Sequence, residues 1–301
     1  AARGCIRSWG LKGNPRVNAY LQAMRLERWP RSAATLSGTA AFIFLNPNDL
    51  SSFTWLSFAA RLLLSFFLTW AVSIANYILN EIVDAPNDIH HPTKRFRPLV
   101  SGKIKIIPFA AWGVLFILGS LGAALRFFPK TVFFSLLALL LAGFIYNVKP
   151  IRTKDIPFFD AISESANNPI RLLIGWYAFS PPEIFLPLSL LIAWWAFGNF
   201  LMLGKRLSEF RFLKEKAADY RISHKKYSEG SLLAGMALST LIFFIAYFVF
   251  ALSIKFIPLL GLSPLLAFYF FLLFKKTLEE KEVMEEPESL LQRPLFAVYT
   301  L

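Results

Sequence analysis

Four side chains with oxygen donors, Asn76, Asn80, Asp84 and Asp88, recur every four residues in the stretch NYILNEIVDAPND. On a helix and its extension that spacing sets them along one face. They close an apolar run, residues 53–83, that reads as lipid-embedded. A carboxylate at the edge of a bilayer is expensive unless it meets a cation. Lys94, Arg95 and Arg97 follow, but none lies within a helical turn of the acids. Two carboxylates and an amide beside a basic cradle are the ingredients for gripping a diphosphate through a divalent metal. Hard oxygen ligands point to Mg2+, with Mn2+ as the alternative ion.

Two further polar stripes interrupt apolar sequence. In DAISESANNPIR, Asp160, Glu164, Asn168 and Arg171 share one helical face, flanked by Asn167. In GNFLMLGKRLSEF, Asn199, Lys205, Arg206 and Glu209 gather towards one end. Internal neutralisation is the plain alternative: Asp160 with Arg171 through Asn168, and Lys205 with Glu209 four residues on. Polar side chains within spans otherwise mark function. Metal and Lys or Arg would neutralise a departing diphosphate, so the chemistry reads as substitution at carbon. Nucleophilic Ser–His or Cys–His sets and a Gly-rich phosphate loop are not evident. His90 and His91, beside Pro92, read as a solvated or hydrogen-bonding pair rather than a zinc site.

The elements that would position these groups are membrane helices. The 301 residues are 56% hydrophobic and include 32 Phe, with mean hydropathy +0.51. Soluble chains average about 45–50% apolar. Apolar runs long enough to cross a bilayer recur, which gives an all-α, multi-pass integral membrane protein. Nine spans are expected, near 33–48, 53–83, 106–126, 131–147, 158–179, 183–203, 231–253, 257–274 and 291–301, with a tight hairpin at 127–130. Most of the 32 Lys and Arg fall in alternate connections. The positive-inside rule then puts the N-terminus in the cytoplasm and the three polar stripes near the cytosolic side, around a cytosol-facing cavity. A net charge of +13 is thereby assigned to topology and anionic lipid, not to nucleic acid. The lone Cys5 excludes an internal disulfide. A cleavable signal peptide is not expected, because no apolar core follows the early basic residues. Residues 1–32 read as a cytoplasmic segment containing an amphipathic interfacial helix over 15–31, and 33–301 as the transmembrane catalytic domain.

The stretch NEIVDAPND, from Asn80 through Asp84 to Asp88, resembles the NDxxDxxxD motif of the UbiA superfamily of intramembrane prenyltransferases, with Glu81 replacing the usual Asp. DAISE, Asp160 to Glu164, is similar to its second acidic motif, and Arg97, Pro98, Leu99, Ser101 and Gly102 match its RPLxSG stretch. Within the superfamily, HPTKRFRP (91–98), KDIPFFD (154–160), the GKRxxE core at 204–209 and PESLLQRPL (287–295) resemble the decaprenyl-phosphate phosphoribosyltransferase branch. The likeness runs over most of the chain. ESANNPIRLLIGW is more polar than that branch's pattern, and Asn147–Pro150 lengthens the loop before Lys154.

The resemblance implies nine helices around a cytosol-facing cavity in a prokaryotic plasma membrane. It implies transfer of phosphoribose from phosphoribosyl pyrophosphate (PRPP) to a polyprenyl phosphate, with loss of pyrophosphate. Asp84, Asp88 and Asn80 would hold the metal, with Asp160 and Lys94 among the catalytic groups. Lys94, Arg95, Arg97, Lys149, Arg152, Lys154, Lys205 and Arg206 would supply cations, and Asn80, Glu164, Asn168, Arg171 and Glu209 would complete the substrate site. Membrane lipids are the surroundings, and a homo-oligomer is compatible with the sequence. Prenyl transfer from a polyprenyl diphosphate to an aromatic or other small acceptor is the alternative, and anion transport a third reading.

Overall fold

The computed structural model describes residues 15–89, 94–213 and 222–279. Every regular element among them is helical. In chain order the α-helices are α1 (Pro15–Ala23), α2 (Ala34–Leu45), α3 (Trp55–Asp88), α4 (Ile106–Phe127), α5 (Lys130–Asn147), α6 (Phe159–Ser165), α7 (Asn167–Tyr177), α8 (Leu188–Leu213), α9 (Glu229–Ser253), α10 (Pro258–Gly261) and α11 (Ser263–Glu279). Local chemistry sets several ends. The Thr54 hydroxyl accepts from the Ser57 amide at 3.2 Å and starts α3. Ser228 and Ser231 form a reciprocal capping box at the start of α9. The turn between α4 and α5 holds only Phe128 and Pro129, so the expected hairpin is present.

Five helices are long and apolar enough to cross a membrane: Trp55–Pro86, Ile106–Phe127, Lys130–Asn147, Leu188–Arg211 and Glu229–Ser253. They coincide with five of the nine expected spans. Large apolar side chains point outward from α4 (Ile107, Leu115, Leu118) and α9 (Leu241, Ile245, Leu252), the inverse of a water-soluble surface. The protein is an integral membrane protein.

The other expected spans differ. The 33–48 stretch forms the 12-residue α2, about 18 Å long against a bilayer core of roughly 30 Å. The 158–179 stretch breaks into α6 and α7. Pro169 lacks an amide hydrogen and its ring crowds the carbonyl four residues back, Ser165, where α6 stops. The 257–274 stretch divides at Gly261 into α10 and α11. The span at 291–301, His90, His91 and the 287–295 stretch lie outside the described residues. The interfacial helix expected over 15–31 ends at Ala23. Its buried Ala19 and Ala23, with Met24 just beyond, pack with Ile74, Ile78 and Phe109. A 3-10 helix, Leu26–Ala33, follows.

One apolar core joins α2, α3, α5 and α7 around Phe42, Leu136, Leu139 and Trp176. A second joins α8, α9 and α11 around Phe200, Leu203, Met236 and Phe270. The α2–α7 crossing depends on glycine. A Cβ on Gly175 would lie 1.8 Å from the Thr35 carbonyl oxygen, and one on Gly38 would lie 2.0 Å from that of Leu172. Backbones meet where small residues replace side chains, as is usual between membrane helices. Gly175→Ala should therefore destabilise the protein by about 1–3 kcal/mol, as overpacking does. Gly119→Ala, with nothing within 4 Å of the new Cβ, should leave the thermal unfolding midpoint in detergent unchanged. Equal midpoints for the two variants would refute this packing.

Candidate functional site

The polar face of α3 opens into a cavity of about 490 Å3 walled by α3, α5, α7, α8, α11 and the 3-10 helix at Leu26–Ala33. Asn76 is admitted by a glycine. A Cβ on Gly143 of α5 would lie 2.3 Å from the Asn76 side chain, whose Nδ2 donates to the Leu139 carbonyl at 3.0 Å. One turn further, Asn80 and Asp84 meet Lys154. Its ammonium donates to Asp84 Oδ1 at 2.5 Å, Asn147 Oδ1 at 3.1 Å and Asn80 Oδ1 at 3.3 Å. Arg152 adds a second cation to Asp84 at 3.1 Å and is itself held by Asp155 at 2.8 Å. Arg152 adopts φ 31°, a left-handed conformation that turns the chain back towards α3.

Asp88 is placed differently. It is buried, accepts from Arg97 Nη1 at 2.5 Å and does not line the cavity. Glu81 lies behind the wall as well, with Arg25 at 3.1 Å and Arg97 at 3.7 Å. The two acids therefore aim Arg97 and Arg25, both of which do line the cavity.

The second and third stripes meet in one buried charge network. Arg206 is wholly buried and donates to Asp160 at 2.7 Å, Glu164 at 2.9 Å and Glu209 at 3.2 Å. Glu209 also meets His224 at 3.1 Å, and Glu164 accepts from the Tyr146 hydroxyl at 3.0 Å. Asp160, also fully buried, receives Ser223 at 3.1 Å and the Tyr227 hydroxyl. Burial first, and then the Asp160 carboxylate, hold the Tyr227 phenol above its ordinary range, so it stays a donor.

The geometry departs from the sequence expectation at several positions. Asp160, expected among the catalytic groups, and Arg206, expected among the substrate-binding cations, sit behind the wall, and Asp160 pairs with Arg206 rather than with Arg171. Arg171 instead reaches Asn168 at 3.4 Å and lines the cavity with it. Arg95 lies over the Phe96 ring, and both Arg95 and Lys149 are exposed away from the cavity. Asn80, Asp84, Lys94, Arg97, Lys154, Glu164, Asn168, Arg171, Lys205 and Glu209 are brought together on the wall.

Arg25, Arg28, Arg31, Tyr146 and Asn147 also line the cavity and were not among the expected site residues. A single surface helix over 15–31 does not bring these arginines together, whereas the 3-10 helix does. Their spacing of three was the available signal. Burial, with Arg28 and Arg97 nearby, lowers the Arg25 guanidinium to about 10 against the pull of Glu81, so it is charged at neutral pH. Among the described residues the wall carries eight Lys or Arg and three Asp or Glu. One flank is apolar: Trp194, Phe197, Leu201 and Met202 of α8, with Leu273 of α11.

No three His, Cys, Asp or Glu side chains converge as a metal site among the described residues. The donor set on the α3 wall still fits Mg2+. Three oxygens already gather round a positive charge, that of Lys154. Magnesium commonly binds through one or two carboxylates, waters and substrate phosphates.

Comparison with known proteins agrees with this architecture. Residues 35–285 match the UbiA prenyltransferase family. The chain is 24% identical over 243 residues to the decaprenyl-phosphate phosphoribosyltransferase of Mycolicibacterium smegmatis, spanning 79% of this chain and 71% of that protein. A UbiA homolog from Archaeoglobus fulgidus has been solved bound to DMAPP and Mg2+. It superposes with a TM-score of 0.68 at 18% identity, covering 94% of this chain and 95% of the other. Its complex with GPP and Mg2+ gives a TM-score of 0.68 at 19% identity, over 93% and 97% of the two chains.

The Arg206 network yields a stability test. Removing the cation strands three carboxylates, so Arg206→Met should cost about 3–5 kcal/mol. The exposed Arg95→Met should leave the unfolding midpoint in detergent unchanged. A midpoint for Arg206→Met equal to wild type would contradict the network.

Proposed function

The chain belongs to the UbiA prenyltransferase family, and we propose that within it this protein transfers 5-phosphoribose from PRPP to a polyprenyl phosphate and releases pyrophosphate. The observation that carries this is the charge of the cavity, eight cations to three acids beside an apolar flank. Two substrates anionic at their reacting ends suit such a wall better than a neutral acceptor does. The Mycolicibacterium smegmatis relative, a decaprenyl-phosphate phosphoribosyltransferase, supports the same reading.

In this account the bundle has about nine spans, with the N-terminus and the cavity mouth on the cytosolic side of a prokaryotic plasma membrane. Lys94, Arg97 and Lys154 hold the donor's diphosphate. Asp84 and Asn80 would hold Mg2+, which when bound neutralises charge on the leaving diphosphate. Asp88 acts through Arg97, and Asp160 through Arg206, as positioning residues. An oxygen of the polyprenyl phosphate attacks the anomeric carbon. The C1–O bond to the diphosphate breaks, and its electron pair leaves with pyrophosphate. The nucleophile is already ionised at neutral pH, so the step needs no strong general base. The polyprenyl tail lies along Phe197, Leu201 and Met202 and leaves towards lipid.

A second reading, prenyl transfer from a diphosphate to a small acceptor, draws on the same apolar flank and on solved relatives bound to DMAPP or GPP with Mg2+.

Membranes containing the protein, given radiolabelled PRPP and a polyprenyl phosphate, should move label into the lipid phase. Absence of lipid label, with label transferred instead from a prenyl diphosphate, would select the second reading. Asp84→Asn should lower transfer by about 100-fold or more while the protein still folds in detergent. Near-normal activity in that variant would end the assignment.

A further inference from the structure

The 3-10 helix at Leu26–Ala33 turns three arginines into one ridge. Such a helix has three residues per turn, so side chains three apart eclipse. Arg25, at its N-cap, Arg28 and Arg31 are spaced by three, and the Arg28 amide bonds the Arg25 carbonyl at 3.0 Å. All three line the cavity, whereas Trp29, between them, is half-exposed on the outer side.

Arg25 and Arg28 are positioned by α3, and Arg31 by α6. Arg25 takes φ 53°, a left-handed conformation disfavoured for a side chain with a Cβ, and meets the buried Glu81 at 3.1 Å. Arg25 and Arg28 both lie over the Tyr77 ring, at 5.9 and 5.7 Å. Arg31 approaches Glu164, at 3.9 Å, and Glu164 is itself fixed by Arg206. Strained backbone held by surrounding contacts marks places where orientation matters. The ridge comes from the segment before α2, whereas Lys94, Arg97 and Lys154 come from the segments after α3 and α5. The two cationic groups thus come from different segments of the chain and adjoin at Glu81, which meets both Arg25 and Arg97.

We propose that Arg25, Arg28 and Arg31 form a second anion subsite that binds a phosphomonoester, distinct from the diphosphate grip at Lys94, Arg97 and Lys154. It rests on the phosphoribosyl-transfer reading, in which two phosphomonoesters enter: the 5-phosphate of the donor and the phosphate of the polyprenyl acceptor.

The test is calorimetric titration of the full chain in detergent with ribose 5-phosphate, farnesyl phosphate and pyrophosphate plus Mg2+. Charge-assisted contacts predict that Arg28→Gln/Arg31→Gln weakens at least one phosphomonoester about tenfold or more, with pyrophosphate changed by less than about twofold. Lys154→Met should do the reverse. Loss of ribose 5-phosphate assigns the ridge to the donor, and loss of farnesyl phosphate assigns it to the acceptor. Arg28→Lys/Arg31→Lys should restore most of the binding. Arg28→Gln alone, expected to weaken the same ligand, serves if the double variant does not fold. Unchanged phosphomonoester binding, no phosphomonoester binding by wild type, or a parallel fall in pyrophosphate binding would each overturn the proposal. Failure of PRPP transfer alone would count against the phosphoribosyl reading and leave these binding results to stand.

Discussion

The wholly buried guanidinium of Arg206, shared among Asp160, Glu164 and Glu209, is the contact on which the cavity depends. A lone charge at that depth would be prohibitive, and a matched network is tolerable only if its geometry is fixed. Meeting that condition locks α6 to α8 and draws in the turn carrying Ser223, His224 and Tyr227. The Tyr227 hydroxyl also accepts from the Phe158 amide at 2.7 Å, where the chain takes φ 64° before entering α6. These contacts tie α6, α8 and that turn together behind the cavity.

The two charge systems differ in balance. Around Arg206 one guanidinium faces three acids, with His224 beside them; Arg206 and Asp160 are fully buried, whereas Glu164 and Glu209 reach the cavity wall. On the cavity wall cations outnumber acids, and the space is open enough for a ligand. Positive surplus at the edge of a low-dielectric bundle is most stable when an anion fills it. That imbalance, more than any single side chain, leads from the fold to phosphate chemistry. The apolar flank on α8 gives the same cavity a second character suited to a lipid chain.

Much of this was legible in the sequence. The four-residue period sets Asn76, Asn80 and Asp84 along one face of α3, where all three line the cavity, and five spans stand out by length and hydropathy. Where the structure differs, the causes are physical. Helical periodicity took Asp160 and Arg171 as a stripe, but Pro169 breaks that helix and frees Asp160 to turn towards Arg206. The sequence shows charge but not depth, so Arg206 looked like Lys205, its neighbour on the wall. Asp88 falls past Pro86, where the helix is ending, and pairs with Arg97 nine residues on. The arginine ridge was hidden because a three-residue spacing has meaning only once the backbone is known to be 3-10.

On the proposed function, the Asp84–Lys154 wall binds a metal-bound diphosphate. A structure determined with Mn2+ and pyrophosphate tests it most directly. An anomalous peak is expected within bonding distance of the Asp84 carboxylate, with phosphate oxygens against Lys154 and Arg97. Metal and pyrophosphate bound elsewhere, or Asp84 still held by Lys154 and Arg152 with neither ligand beside it at saturating concentration, would contradict it.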